Sequence, residues 1–329
     1  MTQADENVQG AQVQKKKKVT VNVLTQPLTL ITQIQRSGGT LLSQLFDGHP
    51  QVCAHPHELH IGKPKKWNWP KLDLSASPED WFESLYEKRL ETFYHKGYVK
   101  PGSNPFANQD VHPFTFDAGV QYAVFLEVLK NVSVTSQRDI LNAFFSSFFA
   151  AWSNVSVSSK SRIVTAFCPR VLMFPDSTTR FIEDYPDGHI VSSVRDPRTW
   201  YASSSRHSSI YKNVSVAIDL WKKSTKGILD LNRKRPDYIF VSTYEKLVSE
   251  NEQVMQNMAA FLGLDFDESL LMPTYASKPI LPNSSYARNT YGVNTESTKT
   301  KAELSDDDLS YIEREAMPLY EEAAALTIN

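Results

Sequence analysis

The chain has only two cysteines, Cys53 and Cys168, and they lie far apart in the sequence. Disulfide scaffolds and structural zinc sites both need closely spaced thiols, so neither is expected. The two are read as reduced, partly buried thiols. Nowhere does the chain reach the roughly 18 consecutive apolar residues of a membrane span. Its most apolar stretch, residues 143–152, is short and interrupted by Ser146 and Ser147. A secretory leader is missing too: the first residues are polar, lead into four lysines at 15–18, and continue into a stretch broken by Thr20, Asn22 and Thr25. Charge of one sign is also lacking, since 35 basic residues face 37 acidic ones for a net charge of −2. That removes any general reason to expect a nucleic-acid partner. Together these absences predict a soluble cytoplasmic protein without a membrane span, preceded by a disordered tail over residues 1–18.

What remains is a chain of 329 residues, 41% hydrophobic, long enough to bury a full core. No internal repeat or long low-complexity linker divides it. Residues 28–34 read as a buried strand, followed by a Gly-rich turn and a helix over residues 40–46 that stops at Gly48 and Pro50. A loop carrying His55, His57, Glu58 and His60 comes next. Helical spacing returns over residues 78–94 and again over 136–152, behind a Ser136 cap. Strands are expected at 162–167, 189–194 and 238–242. Ser177 is placed to cap a short helix ending at Tyr185, and Asp196 with Pro197 to start another. A helix closing at Gly263 and an amphipathic one over 305–324 complete the reading. Strands alternating with helices predict an α/β fold, a mostly parallel central sheet flanked by helices.

The turn after the first strand reads Arg36-Ser37-Gly38-Gly39-Thr40-Leu41. A strand, two glycines and a helix start suit an anion, because the backbone can approach closely and the helix offers unpaired N–H groups. Arg36 adds positive charge, and Ser37 and Thr40 add hydroxyl donors. The turn is not a Walker A loop, since no lysine follows Gly39. This counts against a P-loop kinase while keeping a phosphate-bearing ligand. Arg195, after the strand at 189–194, can present a planar fork to a second phosphate. Ser203 lies about two helical turns further on and can reach the same group.

These features resemble a known family. The turn at 36–42, followed by Asp47-Gly48-His49-Pro50, looks like the 5′-phosphosulfate loop of sulfotransferases that use 3′-phosphoadenylyl sulfate (PAPS). Val194-Arg195-Asp196-Pro197-Arg198 with Ser203 is similar to that family's 3′-phosphate site. Tyr244-Glu245-Lys246-Leu247 and Phe261-Leu262-Gly263-Leu264 resemble its downstream signatures. Gly39 departs from the loop's usual threonine and Gln35 from its usual proline. The resemblance implies a PAPS co-substrate bound by Arg36, Ser37, Gly38, Gly39, Thr40, Leu41, Arg195 and Ser203, and transfer of its sulfuryl group to a small-molecule, glycan or lipid hydroxyl, or to an amine. It implies Glu58 as the general base; His57 is the nearest competitor, with His55 and His112 behind it. Arg36 would neutralise the leaving phosphate. No metal is expected. Residues 19–329 would form one domain, with a helical insertion over about 63–160 shaping the acceptor pocket. A non-catalytic PAPS-binding relative is the other reading.

Overall fold

The computed structural model describes residues 23–62, 67–87, 115–153, 155–281, 291–295 and 304–327. The expected tail over 1–18, residues 88–94 of the expected helix over 78–94, and His112 lie outside the described residues. Strand β1 (Leu28–Ile31) leads into helix α1 (Gly39–Phe46), then β2 (Val52–Glu58) and α2 (Pro78–Leu85). Helices α3 (Ala118–Lys130) and α4 (Gln137–Ala151) pack together before β3 (Ile163–Phe167). The chain continues through α5 (Pro175–Asp184), β4 (His189–Val194), α6 (Pro197–Ser205), α7 (Val214–Lys234) and β5 (Ile239–Thr243). Helices α8 (Tyr244–Ser249) and α9 (Asn251–Phe261), a small hairpin of β6 (Thr274–Tyr275) and β7 (Lys278–Pro279), and α10 (Asp306–Ala325) complete it.

The main sheet has the order β2-β3-β1-β4-β5, and every neighbouring pair in it is parallel. Strand residues alternate between its two faces, as the period of two requires. Leu30, Val164, Ala166, Ile190 and Val241 join the core beneath α3, α4, α7 and α10. Ile31, Phe167, Val191 and Phe240 join the opposite core, under α1 and α9. Both faces are therefore covered, which explains why β1, β3 and β5 are buried along their whole length. Phe125, Phe144 and Phe148 are fully buried in the first of these cores, and each such side chain contributes about 1.5–3 kcal/mol.

The α/β architecture is as expected from the sequence, with local corrections. The stretch carrying His55, His57 and Glu58 is not a loop but strand β2, paired in parallel with β3. Its alternation was obscured by histidine and proline, which are poor strand signals. The first strand ends at Ile31 rather than at residue 34. The helix begun by Pro78 ends at Leu85. The helix expected behind Ser177 starts earlier, at Pro175, and the Ser177 hydroxyl instead accepts from the Trp69 amide at 3.2 Å. The N-terminus of α6 is as read: the Asp196 side chain accepts from the Arg198 amide, and Pro197 is the first helical residue.

Candidate active site

Sheet order reverses at β1. The chain passes from β1 to β2 and β3 on one side, and then to β4 and β5 on the other. In such sheets the crevice outside the C-terminal ends of the two diverging strands receives ligands. Here the turn after β1 and the residues after β4 meet at that end of the sheet. Two residues of the first turn have left-handed backbones, Arg36 with φ 70 and Gly38 with φ 91. Gly38 is further confined by Tyr244, whose ring carbon would lie 2.7 Å from an added Cβ. Gly39 is needed for another reason, since a Cβ there would overlap the Gln33 amide nitrogen and the Phe167 ring. Helix α1 starts at Gly39 with no side-chain cap. Its first N–H groups and its dipole therefore favour an anion at that end.

The second anchor is built into the first. Arg195 Nη1 donates to the Arg36 carbonyl and Nε to Thr199 Oγ1, both at 3.1 Å. The Arg195 guanidinium lies 4.6 Å from the Tyr244 ring centroid, and its carbonyl accepts from Trp221 Nε1 at 3.1 Å. Arg36 Nε donates to Ser203 Oγ at 3.1 Å. Trp200 Nε1 donates to the Gln35 carbonyl at 2.8 Å, and Ser193 donates its hydroxyl to the Ser37 carbonyl. Arg36, Arg195 and Ser203, far apart in sequence, are thus brought to one place. Ser37 is buried, and its hydroxyl oxygen has no partner among the described residues. Burial holds the Arg36 guanidinium below its ordinary pKa, and repulsion from Arg195 and Arg206 adds to that despite an opposing pull from Tyr244. An anion placed in the crevice would relieve that repulsion.

A second group lies along the same edge of the sheet. Glu58 ends β2 beside Phe167 of β3, which in turn pairs with Ile31 of β1. This puts Glu58 two strands, about 10 Å, from the loop strand. Its carboxylate oxygen lies 3.1 Å from His60 Nε2, and its side chain is 27% exposed. His57 is 5% exposed and faces inward, towards a residue the sequence gave no sign of, Glu87. Glu87 Oε2 is 3.2 Å from His55 Nε2 and 3.6 Å from His57 Nε2, while Oε1 accepts from the His60 amide. Desolvation alone would push the Glu87 carboxyl up. The charges of His55 and His57, with hydrogen bonds from His55 and the His60 amide, overcome it and bring the pKa from 4.5 down to about 2. The ligand atoms of His55, His57 and Glu87 all lie within 4.8 Å of one another, the spacing of a group that could hold a metal ion. The same three side chains form a buried charge cluster in which His55 is hydrogen-bonded to Glu87 and His57 lies slightly farther from the same oxygen.

The remaining motif residues act as supports. Asp47 accepts from Thr274 Oγ1 at 2.7 Å and from the Ser277 amide at 2.8 Å, and His49 Nε2 lies 3.0 Å from the Asp265 carbonyl. The Asp-Gly-His-Pro segment therefore latches the chain around residues 265–277 to the end of α1. Glu245 accepts from the Asp196 amide at 3.2 Å and from the Tyr320 hydroxyl at 3.0 Å, tying α10 to the turn after β4.

A sulfotransferase family model matches residues 27–268, and the chain belongs to the sulfotransferase family. Among solved structures, the sulfotransferase domain of the Synechococcus PCC 7002 olefin synthase is 19% identical, with a TM-score of 0.51. That match covers 92% of this chain and 95% of that one, and the two share a fold. The sulfotransferase domain from the curacin biosynthetic pathway is 20% identical at a TM-score of 0.48, covering 88% and 97%. A sulfotransferase from Alicyclobacillus acidocaldarius is 14% identical at 0.46, covering 92% and 96%. A search of curated proteins finds no match.

Two substitutions check this geometry. Gly39→Ala should lower stability by about 1–3 kcal/mol in urea denaturation, as overpacking does; an unchanged midpoint would contradict the close approach of Phe167. Glu87→Gln leaves two buried histidines without their carboxylate and should cost about 3 kcal/mol. Because its folded pKa is depressed, Glu87 contributes stability above about pH 4.5 that is lost as pH falls towards 2. The Gln variant should therefore show a flatter acid limb in stability against pH, and parallel curves would remove the ion pair from the account.

Proposed function

We propose that the protein transfers a sulfuryl group from PAPS to a hydroxyl or amine acceptor, with the donor held across the crevice between β1 and β4. The observation that carries this reading is the meeting of Arg36, Arg195 and Ser203 at the uncapped start of α1. The 5′-phosphosulfate would lie on residues 36–41, where Arg36, the Ser37 and Thr40 hydroxyls and the α1 N–H groups neutralise it. The 3′-phosphate would take Arg195 and Ser203. A fixed 3′ end supplies binding energy remote from the reacting sulfur and orients it.

Transfer needs an acceptor oxygen in line with the sulfur–oxygen bond that breaks. The acceptor oxygen bonds to sulfur as its proton passes to Glu58, and the bridging oxygen leaves with adenosine 3′,5′-bisphosphate. Negative charge grows on that leaving phosphate, where Arg36 and the loop amides stabilise it. Glu58 is favoured over His57 because it is the more open of the two, 27% against 5% exposed. The helices between β2 and β3, chiefly α3 and α4, would shape the acceptor pocket as part of a single domain spanning residues 19–329. Cys53 and Cys168 are both free and buried, which suits a reducing cytoplasm.

Titration with adenosine 3′,5′-bisphosphate tests the donor half. Arg195→Ala should weaken binding tenfold or more, and Ser203→Ala by a smaller factor, since hydrogen bonds to charged groups are worth about 1.5–3 kcal/mol. Equal affinity in both variants would remove the 3′-site assignment, and a preference for ATP with magnesium would favour a kinase. Glu58→Gln tests the chemistry: turnover with labelled PAPS should fall by about 100-fold or more while bisphosphate affinity stays within twofold. Turnover that survives in this variant but is lost in His57→Ala would move the base to His57. A wild-type protein that binds the bisphosphate but sulfates nothing in a broad acceptor screen would be a binding relative.

A further inference from the structure

Gln33 stands two residues beyond the end of β1 and is 1% exposed. Its backbone carbonyl accepts from the Arg170 amide at 3.1 Å, which fixes its place between the loop and the end of β3. Its side chain is unusual. Neither the amide nitrogen nor the amide oxygen has a hydrogen-bond partner among the described residues. A buried polar group left unsatisfied is costly, and an apolar side chain of similar size would avoid that cost. The amide nitrogen also lies where a side chain at position 39 would begin, so it sits directly against the first residue of α1. That helix end has no side-chain cap, so its first N–H groups are left to another partner. Two independent sets of donors, one from backbone and one from a buried carboxamide, therefore converge at the loop. An acceptor-only anion satisfies both.

We infer that Gln33 is a further donor-binding residue, its carboxamide donating to an oxygen of the 5′ phosphate at the start of α1 and filling the space that Gly39 leaves vacant. This rests on the PAPS reading of the crevice and adds to it a contact outside residues 36–41. In the free protein the carboxamide is a liability. With the donor bound it becomes a positioning contact at the end of the ligand where the sulfuryl group is attached.

The experiment compares wild type with Gln33→Leu, and with Gln33→Met as a second apolar variant should Leu fold poorly. Two ligands are titrated by calorimetry, adenosine 3′,5′-bisphosphate and adenosine 3′-monophosphate, and thermal unfolding is followed without ligand. Both variants should melt at or above the wild-type temperature, yet bind the bisphosphate about tenfold more weakly, the share of one hydrogen bond to a charged oxygen. Affinity for the 3′-monophosphate, which lacks the 5′ phosphate, should stay within twofold. Unchanged bisphosphate affinity overturns the assignment. So does equal weakening towards both ligands, or a clear fall in melting temperature, since either marks Gln33 as a packing residue. If wild type binds neither ligand while Arg195→Ala behaves identically, the donor reading itself fails, and the Gln33 contact falls with it.

Discussion

Two guanidinium groups, Arg36 and Arg195, are held against a single turn of backbone at the point where the parallel sheet changes direction. Like charges do not gather there unaided. Arg195 is fixed from several sides, by the carbonyl of Arg36, by Thr199 and by the face of Tyr244. Arg36 is fixed through Ser203 and by a left-handed backbone that few side chains adopt without strain. Buried tryptophans secure the framework beneath, Trp200 on the Gln35 carbonyl and Trp221 on the Arg195 carbonyl. Removing any of these supports loosens a site whose positive charges repel one another. An anion bound as proposed above would offset that repulsion.

The signatures that follow the loop divide, on this view, into chemistry and scaffolding. Asp47 and His49 hold the segment around residues 265–277 against α1. Asp47 is buried deeply enough that desolvation raises its pKa despite hydrogen bonds from Thr274 and the backbone. Tyr244 and Glu245 are neighbours with different tasks. The tyrosine ring lies against Arg195 and forbids a side chain at Gly38, whereas the glutamate binds the Asp196 amide and the Tyr320 hydroxyl. Arg198, paired with Asp196 and within 3.7 Å of Glu313, gives α10 a second attachment near the same turn. The last helix therefore braces the turn after β4.

Much of this was legible in the sequence because the relevant signals are local. Asp196 and Pro197 announce a helix start, and the two glycines between Arg36 and Leu41 announce a tight turn into another. Both depend on backbone rules that operate over a few residues. Strand β2 was not legible, since His55, Pro56 and His57 replace the branched and aromatic residues by which strands are recognised. Glu87 could not be found at all. Its significance depends on the 32-residue separation from His55 being closed in space, which no spacing rule encodes. Gln33 was hidden differently, inside a stretch read as ordinary strand. Only the backbone approach at Gly39 shows that its amide is pressed against the loop. Gly39 stands out in the sequence only as a departure from the family's usual threonine; the packing of Phe167 and Gln33 shows that the space for a side chain there is already taken.

The two carboxylates near the end of β2 also bear on which group can serve as a base. A general base works best when its pKa lies near the operating pH. Glu87 is the more deeply buried of the two, and burial alone would raise its pKa in the useful direction. The histidines reverse that effect and hold its pKa low, which works against a role as base. Its carboxylate is consumed in ordering His55, His57 and the His60 amide. Glu58 stands at the strand end, the more exposed of the two, with its carboxylate against the His60 ring. Burial thus separates the two carboxylates: the inner one is tied to the histidines at the strand end, and the outer one is the base proposed above.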